Sequence, residues 1–198
     1  MWRRIRLRHV AGSVVLLAAV LGVTIGLMVL VPVTGYGLGS LIGLTGNAVF
    51  APVEEAAARG ATVDGPSAAL ISRLVTAGTA AFLLALLVLF PWLAYVEERI
   101  FREGLERAGT LRRGWTALRF GLVHLVMLVP VAAALGIAVA GLWYGRVYVR
   151  AFDRAGTLDP DQVPHARTEA VLASTVWHTT FNSLIVVLFL LASALGWL

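Results

Sequence analysis

The chain has 198 residues, of which 59% are hydrophobic and 14% charged, and its mean hydropathy is +0.86. A soluble domain usually has about 25% charged and about 45–50% apolar residues, so the composition excludes an ordinary soluble protein and predicts one membrane domain over residues 1–198. The sequence has no cysteine, which excludes disulfides, thiol catalysis and cysteine-ligated metals.

All sixteen basic residues are arginines, and the net charge of the chain is +5. The arginines flank the apolar segments and form no stripe interleaved with stacking aromatic side chains. This placement is typical of membrane topology signals and not of nucleic-acid binding. Membrane lipid is therefore a predicted partner, and nucleic acid is not.

The first predicted element is an apolar helix over Val10–Val31, which follows the basic segment Met1–Val10. The apolar run is longer than the roughly 7–15 residues of a signal-peptide core and has no clear small-residue cleavage site, so we expect a retained signal-anchor helix at 10–31. Arginine-rich flanks stay on the cytoplasmic side. The pattern therefore predicts an integral protein of the cytoplasmic membrane with a cytoplasmic N-terminus.

Three later runs also reach the roughly 20 apolar residues needed to cross the hydrocarbon: Leu74–Tyr95, Leu118–Leu142 and Ala170–Leu195. The shorter glycine-rich run Leu38–Ala51 is interpreted as a re-entrant or half-crossing element. Pro130 either kinks one helix or separates two shorter ones. The sequence therefore predicts an all-α polytopic membrane protein, a bundle of four to six transmembrane helices.

Polar segments separate these runs, and we predict loops at Glu54–Arg73, Glu97–Arg119 and Arg146–Glu169. The arginines of the second segment place it on the cytoplasmic side with the N-terminal flank. Four crossings satisfy this orientation. If Pro130 separates two helices, the third segment moves to the cytoplasmic side as well, which its arginines tolerate.

Ionisable side chains inside membrane helices cost about 2.5–3.5 kcal/mol each on the insertion scale, so each one is a functional hypothesis. Polar residues occur in three patterns: EExxxR at 97–102, FxxxH at 120–124 and HxxxN at 178–182. Residues four apart share a helix face, so Glu98 is expected beside Arg102, while Glu97 points about 100° away. One carboxylate can then be held by an arginine while its neighbour faces the bundle, which suits a base and its support.

Each pattern also has a purely structural interpretation. The EExxxR segment can form an ordinary charged helix end at the membrane interface. A histidine such as His124 in an apolar helix is more often a hydrogen-bonded packing residue. The pair His178 and Asn182 can act as interhelical polar contacts, worth about 0.6 kcal/mol on average.

Taken in order on successive membrane helices, EExxxR, FxxxH and HxxxN resemble the motifs of the CPBP family, the CAAX proteases and bacteriocin-processing enzymes also called the Abi family. The likeness extends from Pro91 to Asn182, and the run EERIFREG is similar to the first family motif almost letter for letter. It implies an intramembrane endopeptidase with a peptidase-like core at about 74–195. The implied substrate is a membrane-associated protein or peptide.

The resemblance also implies the chemistry of single residues. Glu97 would activate a water molecule that His124 helps to hold and polarise. His178 and Asn182 would stabilise the oxyanion, and donors of this kind typically contribute about 2.7–4 kcal/mol each in acyl-transfer enzymes. The supporting residues of the implied site are Glu98 and Arg102.

Other peptidase designs lack their residues, because the sequence has no HExxH, GxGD or GxSG pattern. We expect no cofactor. Zinc is the alternative, since carboxylates and imidazoles are acceptable zinc ligands. The zinc ligands would be Glu97, Glu98, His124 and His178.

The alternative function is non-catalytic: a membrane scaffold or a bacteriocin self-immunity protein that retains the polar cluster for packing or partner binding. An ion or proton pathway is less favoured, because the polar groups cluster at one level and leave the rest of the helices apolar. The segment Glu54–Arg59 also fits EExxxR, and we interpret it as a solvated loop outside the site.

Overall fold

In a computed structural model the described residues are 1–38, 66–155 and 160–195, and these form helices without a β-strand. The α-helices are α1 Leu7–Leu30, α2 Pro66–Arg102, α3 Thr110–Val123, α4 Val131–Ala155 and α5 Val163–Ala194. Short 3-10 helices lie at Trp2–Arg4, Pro32–Gly35, Leu105–Arg107, His124–Met127 and Pro160–Gln162. The predicted all-α fold is confirmed.

Four helices in the described part of the chain are long and apolar enough to cross a membrane, namely α1, α2, α4 and α5. With 37 and 32 residues, α2 and α5 are longer than the apolar runs predicted for them. The remaining helix, α3, has 14 residues and measures about 21 Å, against a hydrocarbon layer of about 30 Å. The protein is therefore a polytopic membrane protein.

Four helix ends meet at one end of the bundle: the start of α1, the end of α2, the end of α4 and the start of α5. Arg4 forms an ion pair with Glu169 at 3.3 Å. Glu106, which follows α2, pairs with Arg167 at 2.7 Å and accepts a hydrogen bond from the Tyr148 hydroxyl at 2.9 Å. We call this the arginine-rich end, because arginines of the N-terminal segment, of the α2–α3 connection and of α4 lie there.

At the opposite end the segment after α1 meets the start of α4. The backbone N–H of Val131 donates to the carbonyl of Tyr36 at 3.0 Å, and Gly37 and Pro130 form an isolated antiparallel bridge. Successive helices therefore run in opposite directions. The arginine-rich end contains the N-terminus, the α2–α3 connection, the end of α4 and the start of α5.

The interpretation of Leu118–Leu142 as a single crossing is wrong, because the chain turns back within it. After α3 and one 3-10 turn, Leu128 adopts a left-handed conformation with φ of 63°. Pro130 lacks an amide hydrogen for a helical bond and disfavours a helical conformation in the residue before it, so it stabilises the break that begins at Leu128. The resulting α3–α4 hairpin packs so closely that a Cβ at Gly121 would lie 2.2 Å from the carbonyl oxygen of Ala134. Of the alternative, the two helices separated by Pro130 are confirmed, whereas α3 is not among the helices long and apolar enough to add a crossing.

Where the structure describes them, the predicted loops are mostly helical. α2 continues to Arg102 and α3 begins at Thr110, so only residues 103–109 connect them. α4 extends to Ala155 and α5 begins at Val163. Hydropathy marks the apolar part of a helix, whereas these helices continue beyond it into charged segments.

The helix predicted at 10–31 is confirmed as α1, and it is packed into the bundle. A Cβ at Gly136 of α4 would lie 2.4 Å from Oγ1 of Thr24, and a Cβ at Gly12 would lie 2.4 Å from the ring of Trp177 on α5. Glycine at these two positions lets α1 approach both helices closely.

Two predicted features lie outside the described residues. They are the glycine-rich run Leu38–Ala51, apart from its first residue, and the second EExxxR match at Glu54–Arg59.

Candidate functional site

A buried ion pair occupies the last two turns of α2. Glu98 and Arg102 are one helical turn apart, and Nε of Arg102 donates to Oε2 of Glu98 at 3.2 Å. The glutamate side chain is fully buried, and the arginine side chain is 1% exposed. An isolated charge is very unfavourable in such surroundings, so each group depends on the other. The predicted placement of Glu98 beside Arg102 is confirmed.

α5 contributes the third member of this cluster, His178. Its Nδ1 lies 3.0 Å from Oε1 of Glu98, so the carboxylate binds Arg102 through one oxygen and His178 through the other. An ionised carboxylate can only accept, so Nδ1 carries the hydrogen of this bond. The ring of Tyr144 stacks on the imidazole with centroids 4.8 Å apart and an interplanar angle of 19°, which holds the imidazole in this orientation.

Glu97 points away from Glu98, as the helical spacing predicts, and its side chain is 38% exposed. Oε2 of Glu97 lies 3.8 Å from Nε2 of His178, which is beyond hydrogen-bond distance. Among the described residues this oxygen has no hydrogen-bond partner although it is buried. The two groups therefore face each other at a separation that a polar ligand atom can bridge.

Phe120 of α3 is the aromatic centre of the cluster. Its ring meets the rings of His124 and His178 edge-on, with centroids 5.0 and 5.6 Å away. The guanidinium carbon of Arg102 lies 4.6 Å from the same ring centroid. The two terminal nitrogens of this guanidinium have no hydrogen-bond partner in the described part of the chain, so the aromatic face supplies part of their compensation.

His124 follows directly after α3 and is oriented by its own helix. Its Nδ1 lies 2.8 Å from the carbonyl oxygen of Phe120. Because a carbonyl can only accept, Nδ1 carries the hydrogen and Nε2 of the neutral ring is left as an acceptor.

The residues implied to be catalytic come together around one cavity of about 280 Å³. Its polar lining consists of Glu97, His124, Tyr144, His178 and Asn182. Much of the apolar wall comes from α2 and α5, through Leu86, Phe90, Leu93, Ile185 and Val186. The two residues implied to be supporting, Glu98 and Arg102, lie behind His178 in the buried cluster.

Tyr144 lines the same cavity, and the sequence motifs missed it. It is 1% exposed, and its hydroxyl has no hydrogen-bond partner among residues 1–38, 66–155 and 160–195. Buried polar groups are normally paired, so an unpaired hydroxyl on a cavity wall marks a place where a polar ligand can bind. The available signal was a tyrosine in the middle of an apolar helix, between Gly141 and Gly145.

A second polar cluster fixes the turn after α2, and it was also missed. Glu106, with 4% of its side chain exposed, is bound by Arg167 and by Tyr148. Gly104 has φ of 90°, which glycine adopts without steric cost, and donates its backbone N–H to the Tyr148 hydroxyl at 3.3 Å. These bonds tie the end of α2 to α4 and α5. The sequence signal was weak, because the residues lie in charged segments that resemble loops.

The arrangement of donors does not fit a zinc site. Both oxygens of Glu98 are engaged by Arg102 and His178, and the guanidinium beside this carboxylate opposes the binding of a second cation. Within the described ranges, no three His, Cys, Asp or Glu side chains lie close enough to share a metal ion. The four zinc ligands considered from sequence, Glu97, Glu98, His124 and His178, therefore do not converge on one point.

Comparison with protein-family models, with curated proteins and with solved structures finds no match for this chain. The resemblance to the CPBP motifs therefore depends on the residues of the three patterns themselves.

Proposed function

We propose that this protein is an intramembrane endopeptidase in which Glu97 activates a water molecule to hydrolyse a peptide bond of a membrane-associated protein or peptide. The observation that carries the proposal is the cavity shared by Glu97, His124, His178 and Asn182, which come from three separate parts of the bundle. The resemblance of the three motifs to those of the CPBP family supports the same reaction. The reaction uses no cofactor.

Glu97 is the general base in this proposal. Its Oε2 makes no hydrogen bond within the described residues and is free to accept a proton from water. The water oxygen attacks the carbonyl carbon while its proton passes to Glu97, and the glutamic acid then protonates the amide nitrogen as the C–N bond breaks. His124 positions the water through Nε2, its ring atom left as an acceptor. The rest of the cavity wall is largely apolar, which strengthens the electrostatic interactions of the reacting groups.

His178 and Asn182 are the oxyanion donors in this proposal. Because Nδ1–H of His178 is donated to Glu98, the ring can donate from Nε2 only as the imidazolium. Carboxylate oxygens lie 3.0 Å from one ring nitrogen and 3.8 Å from the other, so an imidazolium at this position would have a carboxylate beside each N–H. The side-chain amide of Asn182 is a neutral second donor. The unpaired hydroxyl of Tyr144 is a third group within the same cavity.

We place the arginine-rich end of the bundle at the cytoplasmic face of the cytoplasmic membrane, because arginines concentrate on that side of membrane proteins. Glu97 lies five residues before the end of α2, about 7.5 Å along the helix axis, so cleavage would occur close to that face. Leu86 and Phe90 line the cavity further from the arginine-rich end. They favour a substrate with apolar side chains next to the bond that is cut.

The test compares Glu97→Gln with Glu103→Gln in purified protein reconstituted into phospholipid vesicles. Glu103 is a matched control, because it is an exposed carboxylate one residue beyond α2, 3.3 Å from Arg99. Each protein is incubated with a library of apolar peptides, and mass spectrometry detects new termini. Loss of a general base typically costs about 10²–10⁴-fold in rate, which we expect for Glu97→Gln only. Cleavage by Glu97→Gln at the wild-type rate would contradict the proposal. Cleavage that stops on addition of a chelator would instead assign a metal to the reaction.

A second function is favoured by the contacts that the buried cluster makes between helices. Glu98, Arg102 and His178 bind one another and join α2 to α5, which a non-catalytic membrane scaffold or a bacteriocin self-immunity protein would also require. Asn182 separates the two functions best, because no hydrogen bond of its side chain is found in the described part of the chain. Asn182→Ala at normal abundance would spare a scaffold and impair a peptidase.

A further inference from the structure

A groove lined by arginines lies on a different face of α4 and α5 from the cavity. It has a volume of about 540 Å³, and its basic side chains are Arg8, Arg146, Arg150 and Arg154. The three on α4 are spaced by four residues and therefore share one helix face. We call this surface the arginine groove.

The positive charge of the arginine groove is largely uncompensated. Asp153 is the acidic residue that lines it. In the part of the chain that the structure describes, no carboxylate forms an ion pair with Arg8, Arg146 or Arg150. Like charges gathered in one groove repel one another, and a low-dielectric wall focuses their field on an anion.

A second cavity of about 360 Å³ continues the arginine groove towards the N-terminus. It shares Arg8 and Arg154 with the groove and adds Arg3, Arg4 and Arg6. Glu169 is the acidic residue of this second cavity, and Arg4 already pairs with it. The positive surface therefore extends from the last turns of α4 to the first residues of the chain.

The floor of the arginine groove is aromatic. Trp143 of α4 and Trp177 of α5 both line it, and their rings meet edge-on with centroids 5.3 Å apart. Nε1 of Trp143 is buried and has no hydrogen-bond partner among the described residues. Tryptophan is enriched at the level of lipid headgroups in membrane proteins. The groove thus combines a cationic rim with an aromatic floor at the end of the membrane-crossing helices.

We propose that the arginine groove binds the headgroup of an anionic phospholipid, with the phosphate held by Arg146 and Arg150 and the start of the acyl chains against Trp143 and Trp177. Guanidinium groups bind phosphate through two parallel hydrogen bonds, and basic pockets between transmembrane helices hold anionic headgroups on the cytoplasmic side. A soluble anion would neutralise the arginines and leave the tryptophans uncovered. The aromatic floor therefore selects an amphiphile.

This lipid site is independent of the proposed peptidase reaction, although the two lie side by side. Trp143 and Trp177 directly precede Tyr144 and His178 in sequence. Consecutive helix residues point about 100° apart, so each helix presents an indole to the groove and the next residue to the cavity. Lipid binding can be measured whether or not the protein cleaves peptides.

The experiment measures lipid binding to the whole chain in detergent micelles by native mass spectrometry, with phosphatidylglycerol and phosphatidylcholine of the same acyl chains as probes. The double variant Arg146→Gln/Arg150→Gln is compared with Arg112→Gln/Arg119→Gln. The control removes the same charge from two exposed arginines of α3, outside the groove. Each arginine near an anionic headgroup contributes enough for roughly a fivefold change in affinity. We therefore expect phosphatidylglycerol to bind roughly 25-fold more weakly to the groove variant and within about threefold of wild type to the control.

Three outcomes would overturn the proposal. The first is equal binding of the two lipids to the wild-type protein, and the second is an equal loss of affinity for phosphatidylglycerol in the groove and control variants. The third is displacement of phosphatidylglycerol by millimolar inorganic phosphate, which would make the groove a site for soluble phosphate. Thermal unfolding without added lipid checks that each variant is folded. If the double variant unfolds, the single changes Arg146→Lys and Arg150→Lys replace it, because lysine keeps the charge and loses the two-bond geometry. Affinity unchanged in both lysine variants would then contradict the proposed contacts.

Discussion

Glu98 and His178 are 80 residues apart in the chain, yet Nδ1 of the histidine lies 3.0 Å from Oε1 of the glutamate. Arg102 holds the other oxygen of the same carboxylate at 3.2 Å. The contact joins α2 to α5 beside the cavity, so the atoms that orient the imidazole also hold two helices together. Loss of one partner leaves the others buried without compensation.

Glu98→Gln is expected to destabilise the fold strongly, because it leaves the Arg102 guanidinium buried without a carboxylate. Breaking a buried ion pair typically costs about 3–5 kcal/mol. The free energy of unfolding is measured by titration with sodium dodecyl sulfate in mixed micelles. Glu103→Gln is the control, since its exposed pair with Arg99 contributes about 0.3–0.5 kcal/mol. Similar unfolding free energies for the two variants would show that the buried pair does not hold the helices.

Tyr144→Phe is expected to leave stability unchanged within about 0.5 kcal/mol, because the hydroxyl forms no hydrogen bond among the described residues. Tyr148→Phe, one turn further along α4, removes a hydrogen bond to charged Glu106 and is expected to cost about 1.5–3 kcal/mol. If Tyr144 contacts the oxyanion, the first variant loses about 10²-fold in kcat without losing stability. Unfolding and peptide cleavage are measured on both. A large loss of stability in Tyr144→Phe would mean that its hydroxyl has a structural partner.

Gly121→Ala is expected to separate α3 from α4, because the added Cβ would lie 2.2 Å from a backbone oxygen that cannot rotate away. Overpacking of this kind typically costs about 1–3 kcal/mol. Gly114→Ala is the matched control on the same helix: its Cβ would meet nothing within 4 Å, so the better helix propensity of alanine should stabilise α3 by up to about 1 kcal/mol. The two changes should therefore shift the unfolding free energy in opposite directions. A shift of both in the same direction would contradict the close packing.

The apolar runs predicted the helices well, because hydrocarbon solvation leaves a continuous signal in sequence. α1 matches its predicted run within three residues at each end. The hydropathy signal fails where the bounds of a helix and of an apolar run differ. It joined α3 to α4 across Pro130, and it assigned the charged ends of α2 and α5 to loops. Hydropathy reports the solvent of a segment and not its backbone conformation.

The site was predicted from the spacing of residues along each helix. This spacing shows which side chains share a helix face, but it does not determine which helices pack together. The pairing of Glu98 with Arg102 follows from the four-residue interval alone. The contact of His178 with Glu98 depends on how α5 packs against α2, which only the fold establishes. Tyr144 belongs to no motif with a polar neighbour, so its position beside His178 could be found only from the packing of α4.

A guanidinium keeps its proton under any condition that a cell provides. The cation at Arg102 is therefore permanent, and with Glu98 it forms a fixed dipole behind the cavity wall. Neither partner of this dipole lines the cavity, whereas Glu97, His124 and His178 do. A ligand in the cavity would then be exposed to the field of a pair of charges that it does not contact.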